Sequence, residues 1–137
     1  MLLVIDTNII VSAIKSPYIE DLFGNKSLTK PQKLMYDVLG GKHQMVVSKA
    51  IFAEYDDVLH RARLELNPIL VEKFLGYIKA YSIWIEPLPT TTLEIEMGDE
   101  DDRIFFDVAK CLNIKLVTGN LKHYPVHELR TSVDELY

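Results

Sequence analysis

The sequence predicts an α/β protein built around a parallel sheet. Leu2–Ile5 is a continuous apolar run, residues 114–118 form a second one, and segments with helical periodicity lie between them. Apolar runs without alternation are typical of strands that are covered on both faces, as in the middle of a parallel sheet. Because strands and helices alternate along the chain, we expect right-handed crossovers between parallel neighbours.

The segment after the first strand contains two predicted helices. Residues 8–14 are apolar enough to form a short helix, whereas residues 16–30 mix Pro, Gly, Asn, Ser and Thr and are predicted to be a loop. Pro31 suits the first turn of the second helix, and Gly40 with Gly41 ends it.

The middle of the chain predicts two strands and two helices. Residues 44–48 form a strand, and Ser48 is a favourable N-cap for a helix over residues 49–62. Pro68–Tyr81 is a further helix with an apolar side. Residues 83–86 are a short strand that the following prolines end.

The C-terminal part completes the alternation. A helix over residues 101–112 precedes the apolar strand at residues 114–118, and residues 128–131 are predicted to be an edge strand. Ser132 and Glu135 have the spacing of a capping box, which predicts a short terminal helix.

The composition predicts one globular domain over residues 1–137. Hydrophobic residues make up 48% and charged residues 26% of the chain, as in ordinary globular proteins. The single Cys111 has no internal disulfide partner and fits a reducing compartment. The apolar run at residues 1–5 is too short for a signal peptide or a membrane span, so we expect a cytoplasmic protein without a membrane partner.

The net charge of −5 argues mildly against a general nucleic-acid binder. However, residues 1–63 carry eight Lys/Arg against seven Asp/Glu, whereas residues 64–137 carry seven against thirteen. A local basic rim is therefore compatible with the acidic total, although the lysines can equally be scattered solubilising charges. The candidates for such a rim are Lys15, Lys26, Lys30, Lys33 and Lys49.

Asp6 directly follows the first buried strand. Ligands of parallel sheets bind beyond the carboxyl ends of the strands, so we expect this side chain to face a crevice. The alternative interpretation is that Asp6 or Asn8 only caps the short helix that follows.

Glu54 lies inside the apolar stripe of the predicted helix over residues 49–62. That stripe consists of Ile51, Tyr55, Val58 and Leu59. A buried, unpaired Glu would cost several kcal/mol or have a strongly shifted pKa. A metal ion or an arginine would stabilise it there, and the remaining alternative is a carboxylate at the edge of the stripe in water.

Asp102 lies on the apolar side of the predicted helix over residues 101–112, in its first turn. The helix dipole favours an acid at this place with or without a ligand. Six acids occur within residues 94–102. Acids at this density repel one another unless cations gather there, although a solvated acidic face is the common explanation.

The last apolar strand ends at Thr118, and Gly119-Asn120 follows. If this strand neighbours the first, Thr118 and Asn120 lie near Asp6; otherwise Gly-Asn is an ordinary turn. Oxygen ligands without clustered Cys or His suit Mg²⁺ or Mn²⁺. We do not predict zinc, because Pro125 interrupts the helical spacing of the two histidines around it.

Together these residues resemble the PIN-domain family, in particular its small prokaryotic branch related to VapC ribonucleases. The resemblance covers nearly the whole chain. It is carried by an apolar strand with Asp6-Thr7-Asn8, by Ser48 with Glu54, by Asp99-Glu100-Asp101-Asp102 leading into Phe105 and Ala109, and by Val117-Thr118-Gly119-Asn120.

The resemblance implies an α/β/α sandwich with a central parallel sheet. It also implies a catalytic site in which Asp6, Glu54 and Asp102 bind Mg²⁺ or Mn²⁺. Many relatives have a fourth acid after the Thr-Gly pair, where this chain has Asn120. Asn120 keeps an oxygen ligand but loses a charge; either Asp99, which also matches the family pattern, compensates, or activity is reduced.

The implied function is an endoribonuclease that hydrolyses RNA phosphodiester bonds, as the toxin of a toxin–antitoxin pair. An antitoxin protein and a homodimer are the implied partners besides RNA. The residues expected to orient water, metal or phosphate are Thr7, Asn8, Thr118 and Asn120. Weaker candidates for contacts with the phosphate backbone are Lys15, Lys122 and His123.

Two other functions remain compatible with the sequence. One is a PIN-fold module that binds RNA or a protein after loss of catalysis, which Asn120 favours. The other is a phosphatase or nucleotide-binding α/β protein with Asp6 as nucleophile. Such phosphatases usually have a second Asp where this chain has Asn8, and the sequence has no Gly-rich phosphate loop.

Overall fold

A computed structural model describes residues 1–15, 19–20 and 26–137 of the chain. The strands in these residues are β1 (Leu2–Ile5), β2 (Ile19–Glu20), β3 (Lys26–Ser27), β4 (Gln44–Val47), β5 (Ile83–Trp84), β6 (Lys115–Thr118) and β7 (Arg130–Ser132). The helices are α1 (Thr7–Lys15), α2 (Lys30–Leu39), α3 (Lys49–Leu59), α4 (Pro68–Tyr81), α5 (Arg103–Leu112) and α6 (Val133–Leu136).

The central sheet has the strand order β5-β4-β1-β6-β7, and every neighbouring pair in it is parallel. β1 lies in the middle, with Leu3 paired to Met45 on one side and to Lys115 on the other. Val4 and Ile5 are fully buried, which explains why this strand has an unbroken apolar sequence. The fold is an α/β/α sandwich with a parallel sheet, and the predicted fold class is confirmed.

Side-chain caps fix where several helices begin. The Ser48 hydroxyl accepts a hydrogen bond from the Ile51 amide at 3.2 Å, and Ser132 caps α6 in the same way, both as predicted. Thr29 forms a full capping box with Gln32 at the start of α2. Such caps satisfy amides that have no partner within the helix.

The core lies between the sheet and the helices packed on it. Its largest fully buried side chains are Tyr55, Phe105 and Phe106, and the rings of Tyr55 and Phe105 are 6.1 Å apart. This packing joins α3 to α5, the two helices that follow Ser48 and Asp102. None of the helices in the described ranges is both long and apolar enough to cross a membrane.

The predicted loop over residues 16–30 is wrong in part. β2 and β3 pair as short antiparallel strands, and α2 already begins at Lys30. Two-residue strands of this kind depend on hydrogen bonds to each other, which the composition of either segment alone does not report. Residues 16–18 and 21–25 lie outside the described residues.

Two helix boundaries also differ from the prediction. α3 ends at Leu59 and is followed by a separate 3-10 turn, Ala62–Leu64. α5 begins at Arg103, because the acids before it form their own 3-10 turn, Glu100–Asp102. Asp102 is therefore the N-cap of α5 rather than a residue of its first turn. β5 is two residues shorter than predicted, and β7 spans residues 130–132 rather than 128–131.

Candidate active site

A cleft of about 690 Å³ opens at the carboxyl ends of β1 and β6. We call it the carboxylate cleft. Its acidic and polar lining consists of Asp6, Thr7, Asn8, Ser12, Glu54, Asp99, Asp102, Asn120 and His123. Arg61, Arg63 and Lys15 also line it. Segments that are far apart in the sequence therefore meet at the edge of the sheet where parallel α/β folds bind ligands.

Asp6 is held at the end of β1 with only 3% of its surface exposed. Its Oδ2 accepts hydrogen bonds from the Thr118 hydroxyl at 2.8 Å and from the Tyr124 hydroxyl at 3.0 Å. Burial raises the pKa of Asp6, and these two hydroxyls oppose that rise by stabilising the charged form. The Asp6 carboxylate is thus fixed in orientation, but its two hydrogen bonds do not fully offset the cost of burying its charge.

Tyr124 remains a donor because burial, together with the charge of Asp6, raises its pKa. No sequence pattern predicted its role, since Tyr124 lies in an irregular segment after β6. Thr118 lies behind Asp6, and its hydroxyl also accepts a hydrogen bond from the Asn120 amide at 3.0 Å. Of the predicted site residues, Thr118 is thus the one that supports the cleft without lining it.

Asn8 links the ends of β1 and β6. Its Nδ2 lies 3.4 Å from Oδ2 of Asp6, and its Oδ1 accepts a hydrogen bond from the Gly119 amide at 3.1 Å. The neighbouring Thr7 is 6% exposed, and its hydroxyl is buried without a hydrogen-bond partner among the described residues. A buried polar atom without a partner is unfavourable unless a ligand, an ion or water satisfies it.

Glu54 lies on α3, directly before Tyr55, whose hydroxyl donates a hydrogen bond to the carbonyl of Ile5. That bond anchors α3 at the carboxyl end of β1 and brings Glu54 into the cleft. Glu54 is half-buried, and it makes no ion pair with a described residue. Burial raises its pKa, an effect that the charge of Arg61 opposes.

Among the residues that the structure describes, Asp99, Asp102 and His123 bring potential ligand atoms together in a tight group. One atom from each lies within 4.8 Å of the others, and Nδ1 of His123 is 3.0 Å from Oδ2 of Asp102. Burial, followed by repulsion from Asp6, raises the pKa of Asp102 to about 6. The cleft therefore disfavours its own negative charges when no cation is present.

Gly98 permits this grouping. Its amide and that of Asp99 donate hydrogen bonds to the carbonyl of His123, at 2.9 and 3.2 Å. A Cβ atom on Gly98 would lie 2.4 Å from the carbonyl oxygen of Lys122. The loop before α5 can thus approach the segment after β6 closely only because residue 98 is glycine.

The sequence prediction and the observed grouping differ in detail. Asp6, Glu54 and Asp102 line one cleft, but the tight group replaces Asp6 and Glu54 by Asp99 and His123. The sequence predicts His123 only as a weaker candidate for orienting or contacting the phosphate, because Pro125 interrupts its helical spacing to His127. His127 instead packs edge-on against Phe106, outside the cleft lining.

The basic residues of the cleft were largely missed. Of the five lysines predicted for a basic rim, Lys15 is the one with a described side chain that lines the cleft, and the side chain of Lys26 lies outside the described residues. Lys30 is paired with Asp134 at 3.0 Å. Arg61 and Arg63 line the cleft instead, and their closeness to Glu54 along the chain was the signal available in the sequence.

The residues present fit a divalent cation. Carboxylate and amide oxygens suit Mg²⁺ or Mn²⁺, and an imidazole nitrogen is a common ligand of transition metals. A cation would also reverse the effect of burial on the pKa values of Asp6, Glu54 and Asp102. Thr7 also lines the cleft, and its buried hydroxyl has no hydrogen-bond partner among the described residues.

The fold and the cleft define an α/β protein with a candidate divalent-cation site at the carboxyl edge of its parallel sheet. The family model described as PIN domain matches residues 2–122, and the chain belongs to that family. PIN domains are generally nucleases, and they use divalent metals. The match ends just before His123 and Tyr124. Comparison with curated proteins and with solved structures gave no significant match.

Proposed function

We propose that this protein is a Mg²⁺- or Mn²⁺-dependent ribonuclease whose active site is the carboxylate cleft. One observation carries the proposal: the acids Asp6, Glu54, Asp99 and Asp102 share one cleft. Three of them have pKa values raised first of all by burial. Such a cleft is unfavourable for folding, so its ligand-binding role offers a reason for its presence.

Asp99, Asp102 and His123 are the residues that would hold the metal ion, and Asp6 and Glu54 line the same cleft. When bound, the ion supplies charge stabilisation at the phosphate and makes a water molecule easier to ionise. Thr118 and Tyr124 keep the Asp6 carboxylate in one orientation. Asn8 and Asn120 offer polar side chains in the cleft lining that would position water or phosphate.

The finer assignments are supported by the family resemblance alone. They are the preference for RNA over DNA, endonucleolytic cleavage, the role of a toxin, an antitoxin protein as partner, and a homodimer. The observation in the structure that suits a polyanionic substrate is that three cations, Lys15, Arg61 and Arg63, line the same cleft as the acids.

The proposal is tested by cleavage of an end-labelled single-stranded RNA with Mn²⁺ or Mg²⁺. We expect Asp6→Asn and Asp102→Asn each to lower the cleavage rate at least about a hundredfold, because each removes a charge from the cleft. Asp134→Asn is the matched control, since Asp134 is exposed on α6 and outside the cleft. Unchanged cleavage by either cleft variant would contradict the site assignment.

The second candidate function is a binding module with weakened catalysis. Asn120 favours it, because the side chain at this position of the cleft is neutral. Such a module would bind RNA or a protein without cleaving RNA at any Mn²⁺ concentration. A Mn²⁺ titration of the cleavage assay, with RNA binding measured on the same samples, separates the two functions.

A further inference from the structure

The segment after α3 places two arginines on the wall of the carboxylate cleft. The helix ends at Leu59, and the 3-10 turn Ala62–Leu64 follows, ended by Glu65 at a φ of 50°. Arg61 and Arg63 flank Ala62, and both line the cleft. We call these two residues the arginine edge. Leu66, just after this turn, is half-buried and packs against the core, which anchors the segment that carries the arginine edge.

Arg61 is partly engaged within the protein. Its Nη2 donates to Oδ2 of Asp57 at 2.8 Å, and 41% of its side chain is exposed. Its charge also reaches the cleft acids, because it lowers the pKa of Glu54 against the effect of burial. A guanidinium has five N–H donors in a planar fork, so the pair with Asp57 leaves most of them for a ligand.

Arg63 is less engaged. It is exposed, and it makes no hydrogen bond or ion pair with any residue in the described ranges. An arginine that supports the fold would be expected to hold a carboxylate or a carbonyl, as Arg103 does with Glu100. The guanidinium of Arg63 is therefore presented to whatever enters the cleft.

The charges around the cleft indicate the sign of that ligand. The acids of the cleft favour binding of a divalent cation, whereas the arginine edge favours binding of an anion. A nucleic-acid strand meets both demands, because it carries one phosphate per nucleotide along its length. With a net charge of −5 for the chain, local cations are also needed to offset repulsion between the protein and such a strand.

We infer that Arg61 and Arg63 bind a phosphate group of a single-stranded RNA, next to the phosphate that lies at the carboxylates. This inference rests on the proposed nuclease function and adds a substrate-binding subsite to it. The planar fork of arginine suits phosphate oxygens. The arginine edge contacts the backbone and so positions the strand without reading its sequence.

The test is the salt dependence of RNA binding by the whole 137-residue chain. Fluorescence anisotropy measures the affinity for a labelled single-stranded RNA at several NaCl concentrations, with Asp102→Asn present in every protein so that the RNA stays intact. The slope of log K against log[NaCl], where K is the association constant for the RNA, is negative. Loss of one phosphate contact is expected to reduce its magnitude by about 0.7. Arg63→Gln should show this change together with a several-fold weaker affinity at low salt.

Lys33→Gln is the matched control. It removes one positive charge from an exposed residue of α2 that does not line the cleft, so its slope should equal that of the parent. Thermal unfolding of each variant verifies that the fold is kept. An unchanged slope in Arg63→Gln, or an equal change in Lys33→Gln, would overturn the inference. Binding of an acidic protein that depends on Arg63, with RNA binding unaffected, would overturn it as well.

Cleavage by chains with the native Asp102 distinguishes failure of this inference from failure of the nuclease proposal. If Arg63→Gln raises KM for RNA and leaves kcat unchanged, both stand. If the native chain cleaves RNA but Arg63→Gln changes neither KM nor the slope, the inference is wrong and the nuclease proposal stands. If the native chain binds RNA with a slope that depends on Arg63 but never cleaves it, the phosphate subsite stands and the nuclease proposal is wrong.

Discussion

Asp102→Asn should stabilise the metal-free protein while it abolishes metal-dependent cleavage. In the folded chain the pKa of Asp102 is about 6 instead of 3.8, because the carboxyl is partly buried and repelled by Asp6. Its ionised form therefore destabilises the fold at neutral pH. Asparagine has nearly the same shape and carries no charge, so it removes this repulsion and can still contact His123.

The magnitude follows from the shift in pKa. A shift of one unit corresponds to about 1.36 kcal/mol, so a rise from 3.8 to about 6 corresponds to at most about 3 kcal/mol. Water screens part of this effect, since 18% of the Asp102 side chain is exposed. We therefore expect Asp102→Asn to raise the free energy of unfolding by about 1 to 2 kcal/mol. For a chain of this size that is a rise in Tm of roughly 3 to 8 °C.

The assay is thermal unfolding followed by circular dichroism, in EDTA and in excess Mn²⁺. In EDTA at pH 7.5 the variant should melt above the parent. In Mn²⁺ the order should reverse, because binding to the folded state alone adds about 2.7 kcal/mol at a hundred times Kd. The advantage of the variant in EDTA should decrease as the pH falls from 6 towards 4, since the folded parent then takes up the proton that removes the repulsion.

Asp101→Asn is the matched control, because Asp101 is the exposed acid next to Asp102. It should change Tm in EDTA by less than Asp102→Asn and should keep the response to Mn²⁺. The reasoning would be refuted if Asp102→Asn lowered Tm in EDTA at pH 7.5. It would also be refuted if the difference from the parent did not change between pH 6 and pH 4.

Two further predictions concern the loops and hydroxyls around the acids. Gly98→Ala should lower stability by about 1 to 3 kcal/mol and weaken Mn²⁺ binding in calorimetry, because its Cβ would approach the Lys122 carbonyl to 2.4 Å. Gly76→Ala, where a Cβ meets nothing within 4 Å, should instead raise the free energy of unfolding by about 0.5 to 1 kcal/mol. Equal effects of the two substitutions would contradict the clash at Gly98. Tyr124→Phe should move the acidic limb of the cleavage pH profile upwards, since it removes a hydrogen bond that lowers the pKa of Asp6; an unmoved limb would contradict that role.

The parallel sheet could be predicted because burial on both faces leaves a direct mark on the sequence. The runs in β1 and β6 are apolar without alternation, and the observed order places them side by side. Ser48 and Ser132 were predictable as caps, since capping depends on residues close together in the chain. β2 and β3 were not predictable, because two-residue strands depend on pairing with each other rather than on their own composition.

The sequence predicts individual acids of the cleft but not the contacts between them. Asp6, Glu54 and Asp102 stand out because each is an acid beside buried apolar residues. The contact between Asp102 and His123 joins residues 21 positions apart, and it depends on the close approach at Gly98. Periodicity carries no information on such an approach, so the sequence indicates His123 only as a weaker candidate for phosphate contacts and does not indicate Tyr124.

Asn120 fits the charge balance of this cleft. Its backbone amide donates to the Thr118 hydroxyl, which in turn donates to Asp6. An acid at position 120 would keep that backbone bond, so the choice of asparagine concerns charge rather than geometry. A fifth acid would add repulsion to a cleft that already raises the pKa of Asp102 to about 6. With asparagine there, four carboxylates rather than five line the cleft, so less cationic charge is needed to balance them.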